Sequence, residues 1–291
     1  MNKLSDITAV IVIYNVTSII FDCLKKLKNI DVIIIDNGRN SKEIVKSIKE
    51  NKNIIKYFKS KKNLGFGRAC NFGFKHVKTK YTLFIEPDVF IDNENLQKLV
   101  SGFDEYPSAG ILVPTLVREN GEIKDNLGNL PELNNRYDSP MSKNIYDQIW
   151  RTNISGNACL NFCWAAILLV NNNKIKKEGL FNKKIFLFWE DFELCRKLKS
   201  TKIQIIKIFS ARAIHLIRMS TKKSYISHFI MEKHHILSSY VYFKINKKDN
   251  FLIRKMFVYF FRSISYLLIF NLKNSIKNLA KLCAVISYKN K

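Results

Sequence analysis

Residues 9–14 and 32–35 are unbroken apolar runs rich in Val and Ile, and each stops at polar groups: Asn15 after the first, Asp36-Asn37-Gly38 after the second. Apolar runs without polar alternation predict strands covered on both faces, as in a parallel sheet, with the loops at their carboxyl ends carrying the polar groups. Between them, residues 18–27 place Ile19, Ile20, Cys23, Leu24 and Leu27 on one helical face, giving a strand, helix, strand unit. The pattern continues with a helix over 41–50, a strand over 54–58, a helix over 66–77 and a strand over 81–85. This alternation predicts an α/β fold with a doubly wound, mostly parallel central sheet and ligands at the strands' carboxyl ends.

The pattern breaks twice at acidic groups. Glu86-Pro87-Asp88 follows the strand at 81–85, and Glu190-Asp191 follows the bulky run Phe186-Leu187-Phe188-Trp189 at the start of a predicted helix. Carboxylates at a helix start are explained equally well by the macrodipole and free backbone N–H groups, or by a site in which burial tunes their basicity. Two such clusters at strand and helix ends favour the site. Asn63-Leu64-Gly65-Phe66-Gly67-Arg68 is a glycine-containing turn that opens a helix, with Asn71 one turn farther on. The helix-start N–H groups and Arg68 there could receive a phosphate or ribose, or the segment is an ordinary loop. Neither a GxGxxG nor a GxxxxGK[ST] sequence occurs, so a nucleotide would be held in another way.

Beyond residue 220 the spacing turns helical, with Tyr225, Ile226, Phe229, Ile230, Leu237, Tyr240 and Val241 recurring among Lys and His. His228, His234 and His235 are read either as a metal cluster or, preferably, as solvent-facing positions. Residues 251–272 are rich in Phe, Tyr, Ile and Leu but interrupted by Arg254, Lys255 and Arg262. That is too charged for a spanning helix and suits one lying at an interface, or a partner surface that makes a homodimer.

Composition narrows the class. A chain of 291 residues with 47% hydrophobic content buries a substantial core, and a formal charge of +25 implies attraction to polyanions, nucleotide phosphates or anionic lipid. Zinc-finger spacing and RNA-recognition aromatics are missing, which argues against a nucleic-acid reader. The six cysteines (23, 70, 159, 163, 195 and 283) form no CxxC pair and are expected to be reduced core thiols. Asp6 precedes the first apolar run and no small-residue cleavage site follows it, so the expected location is the cytoplasm.

In order and spacing, these pieces resemble the family 2 glycosyltransferases of the GT-A fold, especially the bacterial branch that includes rhamnosyltransferases, over about residues 7–220. The matching residues are Val12-Ile13-Tyr14-Asn15, Ile35-Asp36-Asn37-Gly38, Asn63-Leu64-Gly65-Phe66-Gly67 with Asn71 and Gly73, Glu86-Pro87-Asp88-Val89, Glu190-Asp191 with Leu194-Cys195-Arg196-Lys197-Leu198, and His215 followed by Ser220. The resemblance implies a GT-A nucleotide-sugar-binding domain over 1–220, with a donor half at 1–110 and an acceptor half at 111–220; the tail's own apolar and basic pattern gives the expectation of a helical appendage over 221–291 that associates with a membrane. The resemblance implies that Asp36 and Asn37 meet the base or ribose of a UDP- or dTDP-sugar. Tyr14 and Asn15 would line that pocket, and Asn63, Gly65, Arg68, Asn71 and Glu86 would border the donor. It also implies Mg²⁺ or Mn²⁺ at Asp88, with His215 as a further metal or diphosphate contact near Arg218, and Asp191 as general base with Glu190 as its alternate or an acceptor-orienting group.

Two departures from the family pattern bear on the acceptor. Gly179-Leu180-Phe181-Asn182-Lys183 stands where relatives have Gly-Gly-Phe-Asp-Glu, and Trp164 is read as a sugar platform or a core residue. The implied reaction is an inverting transfer to a lipid-linked or surface-polysaccharide acceptor of O-antigen, capsule or lipopolysaccharide, at the cytoplasmic face of the inner membrane. The contrasting expectation is a catalytically silent nucleotide-binding scaffold of an assembly complex.

Overall fold

The computed structural model describes residues 3–124, 127–132, 155–175, 180–216, 224–245, 247–248 and 250–290. Compact packing divides the chain into two units. The first comprises residues 1–130, 149–183 and 191–222, and the second 131–148, 184–190 and 223–291, so the chain passes between them several times.

The first unit starts as its apolar runs predict. Strands β1 (Ile7–Ile13), β2 (Asp31–Asp36), β3 (Ile54–Lys59) and β4 (Tyr81–Ile85) alternate with helices α1 (Ile19–Lys26), α2 (Lys42–Lys49) and α3 (Phe66–Phe74). β3, β2, β1 and β4 lie side by side and parallel, with Ile11 opposite Ile34 and Ala9 opposite Leu83. Local chemistry sets the helix starts: the Ser41 hydroxyl accepts from Ile44 N–H to begin α2, and Gly65, at φ 80°, leads into α3. α3 lies hard against the sheet because Gly73 has no side chain; a Cβ there would stand 2.5 Å from Val10 Cγ1.

Beyond β4 the sheet becomes mixed. After β5 (Val89–Phe90) and α4 (Asn93–Glu105) come β6 (Ala109–Val117), β7 (Leu127–Gly128), β8 (Ala158–Cys159), β9 (Phe162–Cys163) and β10 (Ile167–Asn171). α5 (Glu190–Lys199) and β11 (Gln204–His215) follow. The sheet order is β3-β2-β1-β4-β10-β6-β11-β5, with β8 also on β11 and β7 pairing β9 separately. β10 is antiparallel to both β4 and β6, whereas β11 runs parallel to β6. β11 shifts register between Ile208, opposite Pro114, and Arg212, opposite Thr115, so residues 209–211 bulge out. Pro114 is tolerated there because a bulge interrupts the ladder that its missing N–H would have to join.

The second unit holds α6 (Tyr225–Tyr242), α7 (Asn250–Leu268) and α8 (Leu272–Lys289). α6 begins at a Ser224/Ser227 capping box. Its core is Tyr240, Leu252, Tyr259, Ala284 and Val285, and the Tyr288 hydroxyl donates to the Ile245 carbonyl at 2.7 Å. No helix among the described residues is long and apolar enough to cross a membrane. His228, His234 and His235 neither form a metal cluster nor face solvent: all three are half-buried. His234 lies 4.3 Å, ring to ring, from Phe186, and His235 Nδ1 accepts from Trp189 Nε1 at 3.3 Å. The apolar run before Glu190 packs on these rings, and burial pushes the His235 imidazole down to about 4. Of the cysteines, 23, 70, 163 and 195 are buried thiols as expected, Cys283 is half-buried, and Cys159 is exposed because it sits on the short outer strand β8.

Candidate active site

Three side chains meet where β4 ends. Glu86-Pro87-Asp88 turns the chain into β5, with Val89 N–H donating to the Glu86 carbonyl at 3.1 Å. β5 pairs antiparallel with the end of β11, setting His215 opposite Val89, and Leu216 N–H fixes the register by donating to the Asp88 carbonyl at 3.0 Å. Glu86, Asp88 and His215 thereby bring one ligand atom each to within 4.8 Å of one another, the one such group of metal-ligating side chains among the described residues.

The electrostatics of the group favour a cation. Asp88 and His215 are buried, and His215 Nε2 lies 3.7 Å from Glu86 Oε2, too far for a hydrogen bond. His215 Nδ1 is buried without a hydrogen-bond partner among the described residues. Burial holds the imidazole below its ordinary pKa, against the opposing pull of Asp88, so the ring is neutral with a lone pair to offer. Burial, then repulsion from Asp88 and from Asp191, raises the Glu86 carboxyl to about 8. Glu86 keeps 36% of its side chain accessible, so the two like charges are the firmer part of that rise. Two carboxylates and an imidazole suit a divalent ion such as Mn²⁺, which takes oxygen and nitrogen ligands.

Asp191 stands in the first turn of α5, close enough for its charge to act on Glu86. Burial raises its carboxyl to about 7, while N–H groups of Phe192 and of its own backbone work the other way; Phe192 N–H donates to Oδ1 at 2.9 Å. The chain reaches this helix through Phe188 and Trp189, both left-handed at φ 64° and 66°. Non-glycine residues in that region cost about 1–3 kcal/mol each and persist where surrounding packing holds them. Glu190 is buried and Asp191 half-buried, which makes Asp191 the more reachable of the pair. Trp164 sets its ring edge-on to His215 at 6.4 Å, so it borders the metal-ligating group as well as being half-buried.

The predicted donor residues at the ends of β1 and β2 form an internal network. Asp36 Oδ1 accepts from Gly38 N–H at 2.9 Å and Asn40 Nδ2 at 2.5 Å, and its Oδ2 accepts from the Tyr57 hydroxyl at 2.6 Å. Asn40 Oδ1 in turn accepts from Val16 N–H at 2.8 Å. Asn37 Nδ2 donates to Asn63 Oδ1 at 2.8 Å and its Oδ1 accepts from Leu64 N–H at 2.7 Å, tying β2 to the turn before α3. Asn63 Oδ1 also accepts from Gly65 N–H at 2.8 Å. Tyr14 and Asn15 close β1 half-exposed, Asn15 at φ 50° with its N–H 3.4 Å from the Gly38 carbonyl. In the first turn of α3, Arg68 Nε is buried without a partner among the described residues.

Asn71 is occupied differently. Its Nδ2 donates to the Phe181 carbonyl at 2.8 Å and its Oδ1 accepts from Phe181 N–H at 3.0 Å, so it clamps the chain ahead of α5 rather than presenting its amide to a ligand. Beside it, Asn182 Nδ2 donates to Glu193 Oε1 at 3.1 Å. Gly179, Arg218 and Ser220 lie outside the described residues. Sequence reasoning missed Tyr57 and Asn40 as supports of Asp36, and Cys23, whose Sγ lies 4.0 Å from the Glu86 carbonyl. Asn40, four residues after Asp36 in a polar loop, was the one available signal; the others are long-range.

Comparison with known proteins agrees with this geometry. The sequence model described as Glycosyl transferase family 2 matches residues 8–164, more than half of the chain. Glycosyltransferase GlyA of Streptococcus pneumoniae is 24% identical over 201 residues, covering 63% of this chain and 28% of that protein. Poly-beta-1,6-N-acetyl-D-glucosamine synthase of Staphylococcus aureus is 27% identical over 117 residues, 38% of this chain and 28% of that one. The chain thus spans under a third of the length of these curated relatives. Among solved structures, GalNAc-T7 with UDP, GalNAc and Mn2+ superposes with a TM-score of 0.56 at 14% identity, over 72% of this chain and 42% of that chain, which establishes a shared fold.

Proposed function

The chain belongs to glycosyl transferase family 2, and from that premise we propose that it transfers a sugar from a nucleotide-diphosphate donor to a glycan hydroxyl. The observation that carries the reading is the convergence of Glu86, Asp88 and His215 at the carboxyl end of β4, with Asp191 near enough to act on Glu86. Mg²⁺ or Mn²⁺ held by that trio would supply positive charge against a departing diphosphate. Asp191 takes the proton of the acceptor hydroxyl as its oxygen bonds to the sugar C1; the bond from C1 to the diphosphate oxygen breaks, the nucleoside diphosphate leaves with that electron pair, and the anomeric centre inverts. Burial suits Asp191 to this work, since a base titrating near neutrality both holds and releases a proton. In this reading Arg68 and the uncapped start of α3 would receive the diphosphate, and Trp164, beside His215, would border the transferred or accepting sugar.

The sequence resemblance points to dTDP-rhamnose. N-acetylhexosamines are named for the polymer-forming relative and for GalNAc-T7, and mannose with GDP for one further solved structure of the same fold, which supports a UDP-sugar as first choice and a GDP-sugar as second. The polymer-forming relative supports a polysaccharide acceptor. A lipid-linked form of that acceptor would bring the enzyme to the cytoplasmic face of the membrane.

The test is a thermal-shift screen of UDP-, dTDP- and GDP-sugars with and without Mn²⁺, followed by a transfer assay with the nucleotide class that stabilises. A cation-dependent shift with one class, lost in Asp88→Ala, is expected. Stabilisation that ignores the cation would remove the metal from the reading, and no shift with any donor would turn it toward a scaffold.

A further inference from the structure

The face that α7 turns away from α8 is apolar. Residues 253, 257, 260, 264 and 267 recur every three or four positions and are exposed, while Phe251, Leu252 and Tyr259 are buried on the opposite side. The face widens at the turn into α8, where Leu268 is 74% exposed, Ile269 68% and Phe270 92%. Leu272, Leu279 and Ile286, seven residues apart, extend it along α8. Isolated exposed apolar residues are ordinary, but a continuous strip of aromatic and aliphatic groups along a helix and its turn marks a surface that something covers.

The turn adds a second observation. Phe270 is left-handed at φ 56°, where glycine or asparagine is the comfortable residue. Its side chain is almost wholly exposed, so the described fold gains little from a phenylalanine there. The pair of helices is nonetheless firmly joined just behind the turn. The Ser263 hydroxyl donates to the Ser275 carbonyl at 3.1 Å, the Ser275 hydroxyl donates to the Ser263 carbonyl at 2.9 Å, and the Asn271 side chain accepts from Asn274 N–H to start α8.

Charge identifies the occupant. Residues 250–291 contain eight Lys or Arg and no Asp or Glu. Arg254, Arg262 and Lys273 are exposed and stand next in sequence to the exposed Ile253, Phe261 and Leu272. A second copy would bring the same cations face to face, and a nucleic acid would satisfy the cations while leaving the aliphatic strip in water. An anionic bilayer satisfies both, with acyl chains for the apolar strip and headgroup phosphates for its basic rim.

We propose that the α7–α8 hairpin seats in the surface of an anionic lipid bilayer, with Phe257, Phe261, Leu268 and Phe270 among the upper acyl chains and Arg254, Arg262 and Lys273 at the level of the phosphates. The hairpin lies in the interface and does not span it. This holds whichever sugar the first unit transfers, because none of these residues belongs to the candidate active site.

The test uses the full chain, sedimented with vesicles of phosphatidylcholine alone or with roughly one-third phosphatidylglycerol. Binding to the anionic vesicles at least about tenfold tighter than to the neutral ones is expected, falling as salt rises. Phe270→Asn relieves the left-handed strain and so should leave the melting temperature unchanged or higher while weakening vesicle binding, and Phe261→Ser combined with it should weaken binding further, by about tenfold or more. Arg254→Gln with Arg262→Gln should erase the preference for anionic lipid. Equal binding to both vesicle types, no binding to either, or undiminished binding by a folded Phe270→Asn chain would overturn the proposal. So would a native chain that is dimeric in solution and becomes monomeric in Phe270→Asn, which would assign the strip to a second copy.

Discussion

Burial holds the Asp191 carboxyl at about 7, and the sign of that shift sets two opposite pH dependences. A general base acts deprotonated, so kcat/KM for transfer should climb with pH up to about 7 and then level. A cation at Glu86 and Asp88 moves the break lower, because positive charge favours the carboxylate. A pH–rate profile with no acid limb in Asp191→Asn but an unchanged rate above neutrality would show that the proton goes elsewhere; the expected result for that variant is a loss of about 10²–10⁴ in kcat with donor-induced stabilisation intact. Stability runs the other way. The folded value lies above the ordinary 3.8, so this group's contribution is fully present below about pH 4 and is lost as pH rises through about 7. Cation binding at the trio should recover stability most above neutrality. Melting curves across pH, with and without Mn²⁺, check both statements, and Asp88→Ala should abolish the recovery.

At the scale of elements, close packing by small groups carries more than the active site reveals. Gly73→Ala would place a Cβ 2.5 Å from Val10 Cγ1 and 3.3 Å from Ile35 Cγ1, forcing α3 off β1 and β2. A loss of about 1–3 kcal/mol in urea-induced unfolding is expected. Asn71→Ala strips the buried Phe181 N–H of its acceptor and should cost about 1–3 kcal/mol, with a further fall in transfer because the chain ahead of Asp191 loosens. Unaltered stability in Asn71→Ala would show that the clamp is idle.

These elements also show how far a sequence can be read. β1, β2 and β4 were legible because a fully buried strand leaves an uninterrupted apolar run, and α1 because its apolar face repeats over a full ten residues. β10 was not: Ile167–Asn171 is as apolar as β4, yet nothing local says that it runs antiparallel between β4 and β6. The same holds within the site. Asp88 and Asp191 announced themselves as carboxylates beside apolar runs. The network of Asp36, Asn40 and Tyr57 did not, since a carboxylate whose oxygens are taken by its own protein looks, in sequence, like one awaiting a ligand. The tie between Asn71 and Phe181 was hidden for a related reason, the partners being 110 positions apart.

For the whole molecule, two compact units with separate cores imply separate responses to ligand. All three metal-ligating side chains and Asp191 belong to the first, so Mn²⁺ with donor should raise the calorimetric transition of that unit and leave the helical unit's own transition in place. A single transition that shifts as one would show that the units unfold together. The placement of β10 has a consequence for how the protein comes into being. A ribosome delivers β4 and β6 well before residues 167–171, so the nascent chain carries two strands whose facing edges have no neighbour, and Asp88 waits longer still for His215. Open edges recruit whatever extended chain is nearby. A premature stop between residues 117 and 167 would therefore yield material for chaperones and proteases, not half an enzyme.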